Sequence, residues 1–308
     1  MGKLIADLKV GYTCNNDCLH CVVTSQHKVA EKLRGNIDRP TAECLAEIEK
    51  SIANGCKFIV NTGGEPTIRE DFFELLDCVK ANGATIILQT NGRRLADWEF
   101  TEKLLTYPVI CVVAVHSHRV EIHDKITQRT GSFEQTIRGI KYFKEYSNNI
   151  MGKCVISKYN LKDLPHTTKF MIDLGITNLM ISFPHAEGNA WTYRDEVVPK
   201  YEEVVAEVNQ CIDLVEEHNS THDKSVTIRF ETIPFCFLPG REEYIQEWHH
   251  KQENHIELKQ LDSQETIDWV EHRRKIKIKP YERCKTCEHS RFCEGVWSDY
   301  VSIHLSGK

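Results

Sequence analysis

The sequence predicts an α/β fold built on a parallel β-sheet. Six short apolar runs, rich in valine and isoleucine, alternate with segments whose apolar residues recur at helical spacing. Parallel strands need crossover connections, so this alternation predicts a sheet with helices packed outside it. Such a sheet either stays open or curls into a full or partial barrel. In both cases ligands gather at the carboxyl ends of the strands.

The apolar runs are the predicted strands, and the periodic segments between them are the predicted helices. The six strands are Leu4–Val10, Lys57–Asn61, Ala84–Gln89, Val109–Val115, Lys153–Ile156 and Asn178–Phe183. The helices are Ala42–Asn54, Asp71–Asn82, Asp97–Leu105, Phe133–Tyr146 and Asp163–Leu174. Terminal signals support two of these helices, because Asn82-Gly83 follows one and Ser132 precedes another.

The rhythm changes in the last third of the chain. A long helical pattern, Val197–Asn219, precedes an added strand, Ser225–Glu231. Arg241–Lys279 then mixes both signs of charge and predicts solvated helices and loops. Its histidines are predicted to be exposed: His249, His250 and His255. We therefore divide the chain into a domain of residues 1–224 and a C-terminal domain of residues 225–308.

Composition excludes several classes of protein. The 308 residues are 41% apolar and 27% charged, with a net charge of −6. This balance is typical of a globular protein and argues against a nucleic-acid or membrane-surface partner. Neither a stretch of ~20 apolar residues nor a secretory signal is present, so we expect a cytoplasmic protein. The 13 cysteines then favour metal ligation or redox chemistry over a disulfide framework.

The first cysteine motif directly follows the first strand. Cys14, Cys18 and Cys21 lie in a loop at the carboxyl end of that strand, close enough in sequence to wrap one metal centre. A four-iron cluster held by three cysteines keeps one iron without a protein ligand, and that iron can bind a chelating substrate or cofactor. The alternative is a zinc site completed by His20.

A glycine-rich segment follows the second strand at the equivalent place. Gly63 and Gly64 allow the backbone to approach a ligand closely. The next residues are Glu65 and Pro66. The Glu65 carboxylate and the exposed carbonyl groups can accept hydrogen bonds from an ammonium group.

Together these motifs resemble the radical S-adenosylmethionine (SAM) superfamily, whose signature is CxxxCxxC with an aromatic residue or histidine before the last cysteine. His20 occupies that position, and the resemblance extends over residues 5–190. It implies a partial (β/α)6 TIM-like barrel that holds a four-iron cluster on Cys14, Cys18 and Cys21, with SAM bound to the open iron. An external one-electron donor, similar to flavodoxin or ferredoxin, would drive cleavage of SAM to a 5′-deoxyadenosyl radical. That radical would abstract a hydrogen atom from the substrate.

The resemblance also implies contacts to SAM. The segment Gly63 to Pro66 would meet its amino group. Thr90 and Asn91 end the third strand in a Thr-Asn-Gly element like that of the family. After the fourth strand, Ser117 and the downstream Arg129 would hold the ribose and carboxylate. The alternative for Arg129 is a surface salt bridge.

A second cysteine motif lies near the carboxyl end. CxxCx5C, followed by Glu-Gly-Val-Trp, resembles the auxiliary-cluster domains of SPASM and twitch radical SAM enzymes. That pattern continues with a cysteine where this chain has Trp297, and its glycine-cysteine pair is also missing. These departures predict one auxiliary four-iron cluster, held by Cys236, Cys284, Cys287 and Cys293. The alternatives are a zinc site with His289, and for Cys236 a buried apolar position.

The remaining cysteines lie on predicted helices and strands, without spacing that suits a metal. We interpret them as small packing residues: Cys44, Cys56, Cys78, Cys111, Cys154 and Cys211.

Three functions are compatible with these features. The first is a peptide-modifying radical SAM enzyme that forms a crosslink, epimerises or dehydrogenates a residue. The second is a radical SAM oxidoreductase acting on a small molecule such as a sugar, nucleotide or cofactor precursor. The third, of another class, is a non-catalytic zinc-binding module. Glu231, at the end of the added strand, is the candidate catalytic acid or base, with His116 and His118 as further candidates.

Overall fold

A computed structural model describes residues 5–252, 258–260 and 267–305 of the chain. Most of the segment predicted to form solvated helices and loops is included. The predicted exposure of His255 and of the His250 side chain falls outside the described residues. His249 is half-buried, and its Nε2 lies 2.8 Å from the carbonyl oxygen of Glu243.

Strands and helices alternate through the first three quarters of the chain. The strands are β1 (Ile5–Gly11), β2 (Phe58–Gly63), β3 (Thr85–Thr90), β4 (Val109–Ala114), β5 (Ile150–Val155), β6 (Asn178–Ser182), β7 (Thr227–Glu231), β8 (Leu258–Gln260), β9 (Ile267–Asp268), β10 (Lys277–Ile278) and β11 (Val296–Trp297). The helices are α1 (Thr24–Arg34), α2 (Thr41–Ala53), α3 (Phe72–Ala81), α4 (Trp98–Leu104), α5 (Val120–Thr127), α6 (Ser132–Tyr146), α7 (Leu164–Asp173), α8 (Asn189–Thr192), α9 (Arg194–Val197), α10 (Tyr201–Thr221), α11 (Gln246–Gln252), α12 (Trp269–Ile276) and α13 (Ser298–His304).

The first seven strands form a continuous parallel sheet. With β8 and β9 at one edge, the whole sheet has nine strands in the order β7-β6-β5-β4-β3-β2-β1-β8-β9. Every neighbouring pair from β1 to β7 is parallel. This arrangement confirms the predicted α/β class and the partial barrel with outer helices. The added strand β7 pairs along its length with β6. The division of the chain near residue 225 stays a prediction, but this pairing joins β7 to the sheet rather than to the tail.

Alternate residues of each strand face the helices and the concave side of the sheet. Leu8, Ile86 and Phe230 are fully buried and belong to one hydrophobic core shared with the helices. Their neighbours on the other face are more polar, for example Lys9 and Glu231. Charged side chains are rarely found on a face that is fully packed. A barrel interior lined by alternate polar residues can therefore receive a polar ligand.

The packing cysteines are placed as predicted. Five of the six, namely Cys44, Cys56, Cys111, Cys154 and Cys211, are buried, and Cys78 is partly buried against the core. In the part of the chain that the structure describes, no helix combines the length and the apolar character that crossing a membrane requires.

The C-terminal segment closes one side of the sheet through buried ion pairs. Arg273 and Lys277 follow α11 in the chain and contact Glu247 and Glu294 at N–O distances of 2.8–3.7 Å. Glu247 also accepts a 3.0 Å hydrogen bond from the backbone N–H of Thr232, directly after β7. Thr232 has a φ of 62°, which is unfavourable for a β-branched residue. The hydrogen bond to Glu247 helps to hold this backbone conformation.

Candidate active site

The three cysteines of the first motif share one loop between β1 and α1. Cys14 lies on the exposed side of this loop, whereas Cys18 and Cys21 are half-buried, and all three are free thiols. A 3.0 Å hydrogen bond from the N–H of Asp17 to the carbonyl oxygen of Thr127 ties the loop to the end of α5. The loop thus lies at the carboxyl edge of the sheet, where the sequence predicts it.

Burial dominates the electrostatics of the two half-buried thiols. It raises the pKa of Cys18 and Cys21 above the ordinary value for a thiol. A metal centre binds cysteine as thiolate, so the positive charge of such a centre would offset this cost. The donor set therefore fits a thiolate-bound metal group.

Among the described residues, Cys18, His20 and His116 bring three possible metal donors within 4.8 Å of one another. Three thiols with an adjacent imidazole suit a four-iron cluster with one open iron, and they also suit zinc.

Three buried imidazoles pack beneath the loop. The rings of His20 and His116 meet edge to face at 4.5 Å, and the backbone N–H of His116 donates to Nδ1 of His123 at 3.3 Å. Burial, with a smaller effect of His123, lowers the pKa of His20 to about 4. Burial and the two neighbouring rings lower the pKa of His116 well below its usual range. His116, a predicted catalytic candidate, is therefore neutral at physiological pH and cannot donate a proton as imidazolium.

The glycine-rich segment lies directly against the cysteine loop. Gly64 N–H donates to the carbonyl oxygen of Gly11 at 2.8 Å, and Glu65 N–H donates to that of Thr13 at 2.9 Å. A Cβ atom on Gly63 would lie 2.1 Å from the Gly11 oxygen, and one on Gly64 would lie 2.2 Å from the Thr13 oxygen. The two glycines are therefore required for this close approach, as the sequence predicts.

The carboxylate of Glu65 accepts four hydrogen bonds. Oε1 accepts from the N–H and hydroxyl of Thr67 and from the Thr90 hydroxyl at 2.6–3.1 Å, and Oε2 accepts from Asn91 N–H at 2.7 Å. Oε2 keeps a second acceptor position, so the expectation that Glu65 accepts from an ammonium group stays a prediction. Glu65 also joins the segment around Pro66 to the end of β3. The backbone carbonyl groups remain as acceptors for a ligand.

Asn15 is the centre of a further network that holds the loop. Its carbonyl oxygen accepts from Arg93 and, at 3.2 Å, from Nε of Arg129. Its side-chain oxygen accepts from Asn91 at 2.6 Å, and Arg93 Nε donates to Gln135 at 2.7 Å. The structure thus places Arg129 beside the cysteine loop, rather than in a surface salt bridge. Sequence reasoning missed Arg93, although it directly follows the Thr-Asn-Gly element.

Ser117 is fully buried at the end of β4. Its hydroxyl oxygen accepts a 3.0 Å hydrogen bond from the N–H of Arg119, which begins α5. His118 is half-buried, with its Nδ1 3.4 Å from the hydroxyl oxygen of Thr167. Ser117 therefore shapes the turn that leads into the helix whose other end contacts the cysteine loop.

Asn189, in α8, also escaped sequence reasoning. Its side-chain amide donates to Asp17 at 2.9 Å and to the carbonyl oxygen of Cys18 at 3.1 Å. Its backbone N–H donates to the carbonyl oxygen of Cys21 at 2.9 Å. No local pattern could have revealed this residue, because it acts across 168 to 172 positions of the chain.

The four cysteines predicted for a second centre line one pocket. Cys236 enters it from the turn after β7, and the others come from the segment between β10 and β11: Cys284, Cys287 and Cys293. The remaining walls are Pro234, Phe235, Lys279, Pro280, Tyr281, Arg283, Ser290, Gly295 and Val296. The structure thereby brings Cys236, whose alternative is a purely apolar role, together with cysteines that lie 48 to 57 positions further along the chain.

The alternative zinc site with His289 fits this pocket less well. His289 Nε2 lies 3.5 Å from Glu242 and its ring packs on Phe235. Burial raises the pKa of Cys236, and the nearby Arg283 opposes that rise.

Trp297 fills the position where the auxiliary-domain pattern has a further cysteine. Its side chain is buried, and its ring stacks on His185 with the centroids 4.0 Å apart and the planes 16° apart. The ammonium group of Lys277 lies 4.5 Å from the ring centroid. Position 297 is therefore an aromatic packing position.

Glu231 ends β7 on the concave face. Its Oε2 accepts from the Ser182 hydroxyl at 2.5 Å and lies 3.2 Å from Nζ of Lys153. Burial acts to raise the pKa of Glu231, but Lys153 and Ser182 outweigh it and lower the pKa to about 2. A carboxylate held ionised in this way is a weak base, which argues against the predicted role as catalytic acid or base.

A parallel partial barrel with a three-cysteine loop and a glycine-rich turn at its carboxyl edge defines a class of iron–sulfur protein. Residues 8–171, more than half of the chain, match the family model of the radical SAM superfamily. The chain therefore belongs to this superfamily. Membership implies a four-iron cluster to which SAM binds, and the loop of Cys14, Cys18 and Cys21 fits that group in composition and spacing.

Curated relatives of several activities resemble the chain. An AdoMet-dependent heme synthase of Methanosarcina barkeri is 29% identical over 66% of this chain and 56% of its own length. The mycofactocin maturase MftC of Mycobacterium tuberculosis is 31% identical over 42% of this chain and 32% of its own. The chain spans about half the length of the first of these relatives. Among solved structures, SuiB of Streptococcus suis bound to its precursor peptide SuiA matches 99% of this chain and 74% of its own, with a TM-score of 0.69 at 14% identity.

Proposed function

We propose that the protein is a peptide-modifying radical SAM enzyme with one auxiliary iron–sulfur cluster. It would abstract a hydrogen atom from a residue of a peptide and so form a crosslink, epimerise or dehydrogenate that residue. The observation that carries the proposal is the single pocket formed by Cys236, Cys284, Cys287 and Cys293 behind the radical SAM barrel. The likeness to SuiB, solved with a bound precursor peptide, supports it across nearly the whole chain.

The chain's own residues have distinct tasks in this proposal. Cys14, Cys18 and Cys21 hold the catalytic cluster, which together with SAM supplies a 5′-deoxyadenosyl radical when both are bound. The carbonyl groups of Gly63 and Gly64 accept from the amino group of SAM.

The other residues around the loop orient and position these groups. Glu65 positions the glycine-rich turn through Thr90 and Asn91. Arg129 binds the SAM carboxylate near the loop that it already contacts, while Ser117 orients α5 behind it. Each of these residues acts by binding or orienting, and none moves a proton.

The second pocket would hold a four-iron cluster with all positions closed by cysteine. Its rim carries the cations Lys279 and Arg283, which offset the negative charge of four thiolates. A closed centre cannot bind substrate through iron, so its task is to accept or relay an electron during oxidation of the peptide. An external donor similar to flavodoxin or ferredoxin supplies the electron for SAM cleavage.

A small-molecule oxidoreductase is the second candidate, and one observation favours it. Relatives named as a heme synthase and an Fe-coproporphyrin III synthase cover 66% and 71% of this chain, more than the 42% and 62% covered by MftC of two organisms. These names describe complete proteins about twice as long as the matched region, so the shared part supports common radical chemistry rather than a common substrate.

Two assays test the proposal and separate it from this rival. The anaerobically reconstituted and reduced protein should release 5′-deoxyadenosine from SAM, and Cys18→Ala should release none. When short peptides encoded beside its gene are supplied, mass spectrometry should detect a peptide that has lost two hydrogens or exchanged one with solvent. Heme formation from a porphyrin substrate, with every such peptide unchanged, would contradict the peptide assignment. Absence of 5′-deoxyadenosine would contradict the radical chemistry itself.

A further inference from the structure

The concave face of β5 to β7 carries a group of charged side chains. Phe230 is fully buried in the core under α10, so its neighbours Arg229 and Glu231 face the opposite, concave side of β7. Lys153 of β5 and Arg229 lie in the same register row, because each is paired with Met180 of β6. Two strand spacings of ~4.8 Å separate their backbones.

Part of this group is internally neutral. Lys153 and Glu231 form an ion pair at 3.2 Å, and Ser182 donates its hydroxyl to the same carboxylate oxygen at 2.5 Å. The side chains of Lys153 and Glu231 retain 29% and 25% of their exposure, so the pair remains in contact with the barrel interior. Its single positive and single negative charge cancel.

Arg229 is left without a counter-ion. Arg229 is half-buried as a residue, and throughout the described ranges of the chain its guanidinium has no hydrogen-bond partner and no carboxylate within 4 Å. Guanidinium stays protonated in proteins, so it is free to bind an anion here. This part of the concave face therefore carries one excess positive charge that the fold itself does not use.

We propose that Arg229 binds a carboxylate of the substrate. The inference rests on the proposed function and narrows it to an acidic peptide, in which a glutamate or aspartate side chain supplies the carboxylate. The planar guanidinium matches a carboxylate with two parallel hydrogen bonds. One excess positive charge suits a single negative charge, whereas a phosphate monoester carries about two and would meet the nearby Glu231 as well.

The position of Arg229 suits an anchor rather than a reacting group. It lies two residues before the end of β7, which places it ~7 Å below the carboxyl edge of the sheet. An acidic side chain bound there would reach into the barrel. The rest of the peptide would then lie at the mouth, on the side of the cysteine loop. The neutral Lys153–Glu231 pair borders the anchor and leaves no further unpaired cation of this group for a second acidic side chain.

Binding of small probes to the reconstituted full-length chain with SAM tests the anchor. The probes are N-acetyl-glutamate N-methylamide and the matching glutamine compound, measured by ligand-observed NMR in wild type, Arg229→Gln, Arg229→Lys and Arg138→Gln. Arg138 is an exposed arginine of the outer helix α6 and serves as the matched control. Thermal unfolding of each variant identifies those that fold.

Wild type and Arg138→Gln should bind the glutamate probe at least ~10-fold more tightly than the glutamine probe. Arg229→Gln should lose this preference, and Arg229→Lys should keep part of it. If glutarate binds as tightly as the capped glutamate, the carboxylate alone is recognised. If glutarate binds more weakly, the peptide groups of the capped glutamate contribute as well. Both outcomes support the anchor. Equal binding of the two capped probes by wild type, or a preference that persists in Arg229→Gln, would overturn it. 5′-Deoxyadenosine release by wild type is measured separately. Failure of the anchor therefore leaves the radical chemistry untouched, and failure of the radical chemistry is detected independently of the anchor.

Discussion

Glu65 and Glu231 are both carboxylates at strand ends, yet their surroundings give them opposite properties. Burial raises the pKa of Glu65 against four accepted hydrogen bonds, whereas Lys153 and Ser182 lower the pKa of Glu231 to about 2. Sequence motifs identified both residues as functional candidates. Most of their partners come from other strands, so the sequence could not reveal that Glu65 accepts four hydrogen bonds or that Glu231 stays ionised.

Removing the partner of Glu231 should destabilise the protein in a pH-dependent way. The folded pKa of Glu231 lies below the unfolded one, so its stabilising contribution is present above about pH 4.5 and is lost as pH falls toward 2. Lys153→Met should lower the free energy of unfolding by ~2 kcal/mol at pH 7 in urea titrations, and by less at pH 4. Lys169→Met, which breaks an exposed pair with Asp173, should cost under ~0.5 kcal/mol at either pH. Equal losses for the two variants at pH 7 would contradict this account.

Arg93 should position the cysteine loop without touching the reacting atoms. Arg93→Met removes the hydrogen bonds to Asn15, Asn16 and Gln135, so the reconstituted protein should bind SAM ~10-fold more weakly while retaining most of its iron. Equilibrium dialysis with labelled SAM measures the affinity, and the visible absorbance of the cluster measures loading. Arg138→Met provides the control. Unchanged SAM affinity in Arg93→Met would remove Arg93 from the site.

At the scale of elements, the sequence predicts the positions of the strands better than those of the helices between them. Periodicity locates β1 to β6 within about three residues of their bounds, because buried apolar runs are a local signal. The sequence does not predict three helices beside the site, α1, α5 and α8, since none of them has a long apolar stripe. The register that joins β7 to β6 was also beyond local pattern, because pairing depends on the whole sheet.

The contact between the end of β2 and the cysteine loop should depend on Gly64. A Cβ there would lie 2.2 Å from the Thr13 oxygen and 2.6 Å from the Tyr12 backbone, so Gly64→Ala must displace the loop. We expect a loss of at least ~3 kcal/mol in unfolding free energy together with lower iron content. Gly83→Ala, at a φ of 72° with open space around it, should cost only ~1 kcal/mol and leave the iron unchanged. Tolerance of Gly64→Ala in both measurements would contradict the close approach of the two segments.

At the scale of the molecule, the C-terminal segment carries a network of buried charges beside apolar side chains, such as Trp297 and Tyr300, that belong to the main hydrophobic core. Glu294 is 7% exposed and contacts Arg273 at 2.8 Å and Lys277 at 2.9 Å. The sequence showed a mixture of charges here and predicted solvated loops. Which charges are buried depends on how the segment docks against β7, and single-sequence patterns do not contain that information.

Breaking this network should therefore be costly. Glu294→Gln should lower the free energy of unfolding by ~3 kcal/mol, because two buried cations lose a full counter-charge. Glu282→Gln, which affects an exposed pair with Lys285, should change stability by under ~0.5 kcal/mol. Chemical unfolding of both variants at pH 7 provides the comparison, and similar stabilities for the two would show that the segment docks by other means.

The iron content of the reconstituted chain tests the central claim, a radical SAM barrel joined to one auxiliary cluster, most directly. Wild type should hold about eight irons per chain, and the double variant Cys284→Ser/Cys287→Ser about four. Cys44→Ser/Cys211→Ser, at two buried packing cysteines, should stay near eight wherever it folds. A wild-type value of about four irons that is unchanged in the Cys284/Cys287 variant, with or without zinc in the chain, would contradict the auxiliary cluster.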